Sequence, residues 1–199
     1  MIKITALNNN EPYKKFKHYY DKALSKNQKS IEAIVIATYD KNLDEVDARY
    51  VNLKYINNEE WIFFTNYNSL KAQQFFSHDQ ISAIFYWDSI GVQVRIKAKI
   101  EKTSSDFSDK HFNNRTKEKN ALAISSNQSS LIGSYEDVIK NYNDALNDQE
   151  SLFKRPDYWG GFSFKPYYFE FWEGHQSRLN KRQTYKHEDV GWISSILQP

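Results

Sequence analysis

Three cations, Arg49, Lys54 and Lys71, punctuate apolar segments in one short stretch of the chain. The stretch reads Arg49-Tyr-Val-Asn-Leu-Lys54-Tyr55, then an acidic turn, then Trp61-Ile-Phe-Phe64-Thr65-Asn66-Tyr-Asn-Ser69-Leu70-Lys71. A cation inside a half-buried strand is costly unless something anionic pairs with it. Arg49 and Lys54 are an odd number of residues apart, so on one regular strand they point to opposite faces and one of them faces inward. Ser69 reads as the N-cap of a helix beginning at Leu70, and a helix N-terminus beside a lysine suits phosphate. The chemistry implied is the holding of an anionic, phosphorylated ligand where strand meets helix. The alternative, from the residues alone, is an ordinary hairpin whose cations reach solvent.

Other templates for chemistry are missing. There is no Gly-x-Gly-x-x-Gly, no P-loop, no Gly-x-Ser-x-Gly and no His-Glu-x-x-His. The five histidines (His18, His78, His111, His175, His187) show no metal-ligand spacing, so no metal site is expected. The absence of cysteine excludes disulfides, thiolate metal sites and a cysteine nucleophile, and fits the cytoplasm. A net charge of +2 with dispersed Lys and Arg lacks the clustered basic face of a nucleic-acid binder. The N-terminal apolar run is too short for a signal peptide, and no stretch approaches the ~20 apolar residues of a membrane span.

The elements that must position these residues can be read in order. A chain of 199 residues with 14 Tyr, 13 Phe and 5 Trp suits a single domain with a large aromatic core. Residues 11–26 read as a helix, with Pro12 in the first turn and Tyr13, Phe16, Tyr20 and Leu24 at helical spacing. Strands are expected at 32–39, 47–55, 61–65, 81–87 and 92–102, with a short helix at 69–77. The strand at 92–102 alternates apolar residues with Gln93, Arg95, Lys97 and Lys99, and its basic stripe reads as a solvated face. A helical insert over about 104–148 holds helices at 105–113 (capped by Ser104 or Ser105), 117–125 and 135–146. Its polar cluster 125–130 reads as a solvated loop. Strands at 160–165, 168–173, 182–187 and 192–197 follow, with Trp159 and Trp192 read as core. The pattern predicts a mainly β fold, a closed or nearly closed antiparallel barrel with helices on its outside.

What remains is a distributed set: Arg49 and Lys54; Thr65-Asn66…Ser69-x-Lys71; Gln93; Gln128-Ser129; Trp159-Gly-Gly-Phe162…Glu170-Phe-Trp172-Glu-Gly174…Arg178-Leu-x-x-Arg182; and Trp192…Leu197-Gln-Pro199. In order and spacing it resembles the pyridoxamine 5′-phosphate oxidase family, from about Pro12 to Pro199. The resemblance implies a split β-barrel that binds FMN at a homodimer interface. It implies oxidation of a small phosphorylated pyridine, pyridoxamine or pyridoxine 5′-phosphate, to pyridoxal 5′-phosphate, with oxygen as acceptor and release of hydrogen peroxide. The flavin would carry the redox chemistry and leave the protein positioning and charge.

By the same resemblance Arg49 and Lys71 hold the FMN phosphate. Phe64, Thr65, Gln93, Gln128, Ser129, Trp172 and Arg182 are further FMN contacts, several supplied by the second subunit. Lys54 is assigned to both ligands, and Arg115 and Arg178 match substrate contacts. Arg178 and Asn180 are the catalytic pair, with Arg178 over the pyridine ring. The chain departs from the family at Leu70 (usually Arg), His111 (commonly Tyr), Lys119 (Ser), Asn180 (His) and the loop 174–177. His111 and Lys119 can still donate to a phosphate. Departures around the substrate leave two alternatives: an FMN-binding paralogue acting on another small molecule, and a non-catalytic flavin- or pyridoxal-phosphate-binding protein.

Overall fold

A computed structural model describes residues 1–199. The strands are β1 (Lys3–Leu7), β2 (Ala33–Asp40), β3 (Glu45–Asn52), β4 (Tyr55–Asn58), β5 (Glu60–Asn66), β6 (Gln80–Trp87), β7 (Val92–Lys102), β8 (Trp159–Glu173), β9 (Lys181–Glu188) and β10 (Gly191–Leu197). The helices are α1 (Glu11–Ser25), α2 (Leu70–Ser77), α3 (Ser105–Asn113), α4 (Lys117–Ser125) and α5 (Tyr135–Asn147). All ten strands form one sheet, ordered β1-β4-β5-β8-β7-β6-β2-β3, with β9 on β8 and β10 on β9. This is the split barrel with peripheral helices that the sequence pattern and the resemblance imply.

The barrel closes through two residues. The expected strand 47–55 is broken at Leu53-Lys54. Before the break β3 pairs with β2, and after it β4 pairs with β5. Leu53 N–H donates to Glu32 O (2.9 Å), and Lys54 N–H donates to Ile62 O (2.8 Å). One continuous piece of chain thus crosses from one side of the sheet to the other. Arg49 and Lys54 do not share a strand, so the opposite-faces reading loses its premise.

β8 is a single strand where two were expected. One edge pairs with β7 from Phe162 to Glu173. The other is shared, with Trp159–Phe164 on β5 and Tyr168–Glu173 on β9. Pro166 does not split it, because the ladder to β7 shifts register there and leaves Tyr167 without a partner on β7. A bulge is where a strand tolerates proline. β1 was not legible in the sequence. It is a five-residue edge strand without alternating burial, held parallel to β4, so its partner is set by tertiary contact.

Helix α1 plugs the barrel. Its buried face is Tyr13, Phe16, Tyr19, Tyr20 and Ala23, while Leu24 is 40% exposed, which corrects the expected stripe. Phe16 packs on Trp61 (4.4 Å between centroids), Phe85 and Trp87 (both 5.5 Å). Trp192 packs on the edge of this core beside Tyr13 and Phe169, as expected. A smaller cluster of Phe112, Ala123 and Trp159 fastens α3 and α4 to β8. Buried Asn120 reinforces it by donating to Phe112 O (3.2 Å) and Leu152 O (2.9 Å).

Gly160 is fixed by close approach, since a Cβ there would lie 2.1 Å from the Tyr67 hydroxyl. Gly160→Ala is expected to destabilise the fold by about 1–3 kcal/mol, the usual cost of overpacking. A denaturant titration reads this, and an unchanged midpoint would show that Tyr67 moves freely.

Candidate ligand-binding site

A cavity of about 650 Å³ opens between the β3–β4 crossing, the end of β5, the start of α2, and α3–α4. Its lining includes four cations, Lys54, Lys71, Arg115 and Lys119, and no carboxylate. Like charges brought together in a partly dry site raise one another's cost, and an anion relieves it.

Lys71 lies in the first turn of α2 and is only 8% exposed. Its Nζ donates to Thr65 Oγ1 (3.3 Å) and Ser69 Oγ (3.4 Å), both neutral. Burial first, and then the Arg49 guanidinium, push its pKa down to about 8. Arg49 stands behind it on β3, outside the cavity lining. Arg49 pairs with Asp47 and donates to Thr38 Oγ1 (2.7 Å) and Gln74 Oε1 (2.9 Å). Ser69 occupies the N-cap position of α2, but its hydroxyl donates back to Asn66 O (2.7 Å) and caps nothing. The expected side-chain cap is therefore absent, and Ser69 instead shapes the turn under Lys71.

The polar cluster after α4 is not a free solvated loop. Gln128 Oε1 accepts from Thr65 Oγ1 (3.0 Å) and Asn66 N–H (3.3 Å), and Asn66 Nδ2 donates to Ser126 O (3.1 Å). Gln128, Thr65 and Phe64 thus share one wall. Ser129 follows in a left-handed conformation (φ 74°), outside the lining.

At the other end lie Lys54, His111, Arg115 and Lys119. Burial lowers the pKa of Lys54, with Lys119 and Arg115 adding to it against a raising effect from Glu32. Burial also lowers Arg115, to about 10. The Arg115 guanidinium sits over the Trp159 ring (4.2 Å), donates to Lys119 O (2.6 Å), and leaves Nη1 buried without a partner. Trp159 is therefore a cavity wall as well as the core residue expected. Its neighbouring glycines explain its packing, but nothing in the spacing announces Arg115 above it.

Gln93, Trp172 and Arg182 lie elsewhere. They are register neighbours across β7, β8 and β9, at the opposite end of β8 from Trp159. Arg182 pairs with buried Glu170 (2.8 Å), which also binds Arg95 (3.0 Å) and the Tyr168 hydroxyl (3.1 Å). Arg95 is thus an ion-pair partner and not simply part of a solvated stripe. Arg178 sits in the β8–β9 turn at φ 60°. Asn180 Oδ1 accepts from His175 N–H (3.0 Å) within that turn.

Lys71→Met is expected to stabilise the ligand-free protein. The folded pKa of about 8 is below the ordinary 10.5, so the unfolded chain binds more protons between these values. Lys71 therefore makes wild-type stability rise with pH across that window. Urea midpoints from pH 7 to 10.5 should show a gap favouring the methionine variant that narrows as pH rises. A constant gap would mean that Lys71 titrates normally.

Residues 20–139 match the family model described as pyridoxamine 5′-phosphate oxidase, and residues 159–199 match the pyridoxine 5′-phosphate oxidase C-terminal dimerisation region. A pyridoxine/pyridoxamine 5′-phosphate oxidase of Gloeothece citriformis is 37% identical over 194 residues, covering 96% of this chain and 90% of that protein. Pyridoxine/pyridoxamine 5′-phosphate oxidase 1 of Hydrogenovibrio crunogenus is 31% identical over 192 residues, covering 95% and 88%. The crystal structure of PhzG from Burkholderia lata, solved with tetrahydrophenazine-1-carboxylic acid, has the same fold, with a TM-score of 0.89 at 23% identity over 95% of this chain and 93% of that one. The barrel, the cation-lined cavity and these matches over nearly the whole chain have one reading: the chain belongs to the pyridoxamine 5′-phosphate oxidase family.

Proposed function

We propose that this chain is an FMN-dependent oxidase that converts pyridoxamine or pyridoxine 5′-phosphate to pyridoxal 5′-phosphate, passing electrons to oxygen and releasing hydrogen peroxide, as a cytoplasmic homodimer. The observation that carries the reading is the cavity with four cations and no carboxylate, one of them the buried, anion-less Lys71. Its volume suits small-molecule ligands. Its cations fall into two groups, which fits two phosphates, one from a cofactor and one from a substrate. When bound, FMN supplies the hydride acceptor.

The chain's own residues bind and orient. Lys71 takes the flavin phosphate with the field of Arg49 behind it, and Leu70, 47% exposed, adds no cation. Phe64, Thr65 and Gln128 form the adjoining wall. Lys54, Arg115 and Lys119 anchor the substrate phosphate, which fixes the reacting carbon by proximity. Gln93, Ser129, Trp172, Arg178, Asn180 and Arg182 lie outside the cavity lining of their own protomer. A second copy could present those on β7–β9 and the β8–β9 turn, and the match of 159–199 to a dimerisation region supports that arrangement. Arg178 would then lie over the pyridine ring, with Asn180 shaping its turn.

A second reading is an FMN-binding relative acting on another small anion. It is favoured by Asn180, whose side chain is engaged within its own turn.

The deciding experiment is the visible spectrum of the FMN-loaded protein during anaerobic addition of pyridoxamine 5′-phosphate. Bleaching, with peroxide and aldehyde formed on re-aeration, is expected. A flavin that stays oxidised would point to the second reading. Lys71→Met should weaken FMN binding about tenfold or more, as for loss of a charge-assisted hydrogen bond. Arg178→Ala should lower turnover far more than flavin content, and equal losses would make Arg178 structural.

A further inference from the structure

The His111 ring is held on a face and on an edge. It lies on Phe64 with centroids 3.6 Å apart and planes 8° from parallel, and it runs parallel to Trp159 at 6.2 Å. Its Nδ1 is 2.9 Å from the Tyr55 hydroxyl, and the two rings are nearly perpendicular. Tyr55, on β4, lines a second and smaller cavity of about 290 Å³, whereas His111 lines both. The imidazole is thus part of the wall between the cavities, with its Nδ1 edge given to Tyr55.

The charged groups acting on the ring are Arg115, Lys54 and Lys119, all cations. Together with burial, the largest cause, they push its pKa down to about 4. The ring is neutral at physiological pH and carries one N–H. Burial pushes the Tyr55 phenol up, so it keeps its proton. Between a phenol and a neutral imidazole nitrogen the phenol is the stronger donor, which places the ring proton on Nε2.

We propose that Tyr55 is a positioning residue: its hydroxyl, donating to His111 Nδ1, fixes the Nε2–H tautomer, so that a neutral ring presents one directed N–H to the anionic group of a ligand in the large cavity. A neutral donor adds a hydrogen bond without adding another charge to Lys54, Arg115 and Lys119. Without Tyr55 the ring could turn a lone pair toward the anion. That the anion is a substrate phosphate rests on the function proposed above. The state of the ring does not.

The test uses the FMN-loaded protein labelled with ¹⁵N-histidine. Its imidazole nitrogens are read by NMR with and without pyridoxal 5′-phosphate. In the wild type His111 should show a protonated Nε2 and an acceptor Nδ1, with the Nε2 signal moving when pyridoxal 5′-phosphate is added. Tyr55→Phe keeps the ring packing on Phe64 and Phe107 and removes only the hydroxyl. It should mix the tautomers and raise KM for pyridoxamine 5′-phosphate roughly 3- to 10-fold, as for one neutral hydrogen bond, with kcat and FMN affinity unchanged. In a His111→Tyr background, where no tautomer needs fixing, Tyr55→Phe should leave KM unchanged. A wild-type ring protonated on Nδ1, a tautomer indifferent to Tyr55→Phe, or an equal KM penalty in both backgrounds would overturn the proposal. A protein that turns over no phosphorylated vitamer yet shows the tautomer shift would sink the oxidase reading and leave the role of Tyr55 standing.

Discussion

Strand β8 has to satisfy three partners at once. It gives one edge to β7 and divides the other between β5 and β9. The barrel wall and the C-terminal hairpin therefore share one backbone. Its second and third residues cannot carry bulk, because Tyr67 and Thr103 approach Gly160 and Gly161 closely. The strand carries Trp159, in the cavity wall, at one end and Trp172 near the other. The distance of Gln93, Trp172 and Arg182 from the cavity follows from the length of this one strand.

The cavity carries the opposite kind of constraint. Burial weighs on Lys54, Lys71 and Arg115, like charges add to it at Lys54 and Lys71, Glu32 and Asp47 offset it only in part, and no carboxylate lines the cavity, so the site costs the fold stability until an anion arrives. Arg49 shows the contrast. It sits next to Lys71 but is paired with Asp47 and bonded to Thr38 and Gln74. Evenly distributed counter-ions would make a more stable barrel and a poorer anion receptor.

Local rules made much of the fold legible. The alternation in Val92–Lys102 gave β7 its full length, and the short polar breaks bounded α3 and α4. Ser104 does cap α3, accepting from Phe107 N–H (3.3 Å). Two failures share a cause, which is that the deciding partner lies far away in sequence. Leu53-Lys54 breaks a strand because the two residues bond to different neighbours. Pro166 does not end β8 because a bulge absorbs it. The clustering of Lys71 with Thr65 and Ser69 where strand meets helix was readable, but the turned-back Ser69 hydroxyl and Arg115 over Trp159 were not, since neither leaves a trace in spacing. The assignment of Gln93, Trp172 and Arg182 came from the resemblance alone, and the chain places them apart from the cavity.

The crossing at Leu53-Lys54 has a dynamic consequence. The Lys54 N–H is bound to Ile62, and its carbonyl accepts from Lys3 N–H (2.9 Å), so this lysine is tied into the sheet on both sides. Lys54 also lines the cavity. A ligand that grips the ammonium therefore opposes opening of the barrel seam, because it binds the closed form and not the open one. Occupancy of the cavity becomes visible as slower hydrogen exchange at the Leu53 and Lys54 amides, two positions that need not touch the ligand at all.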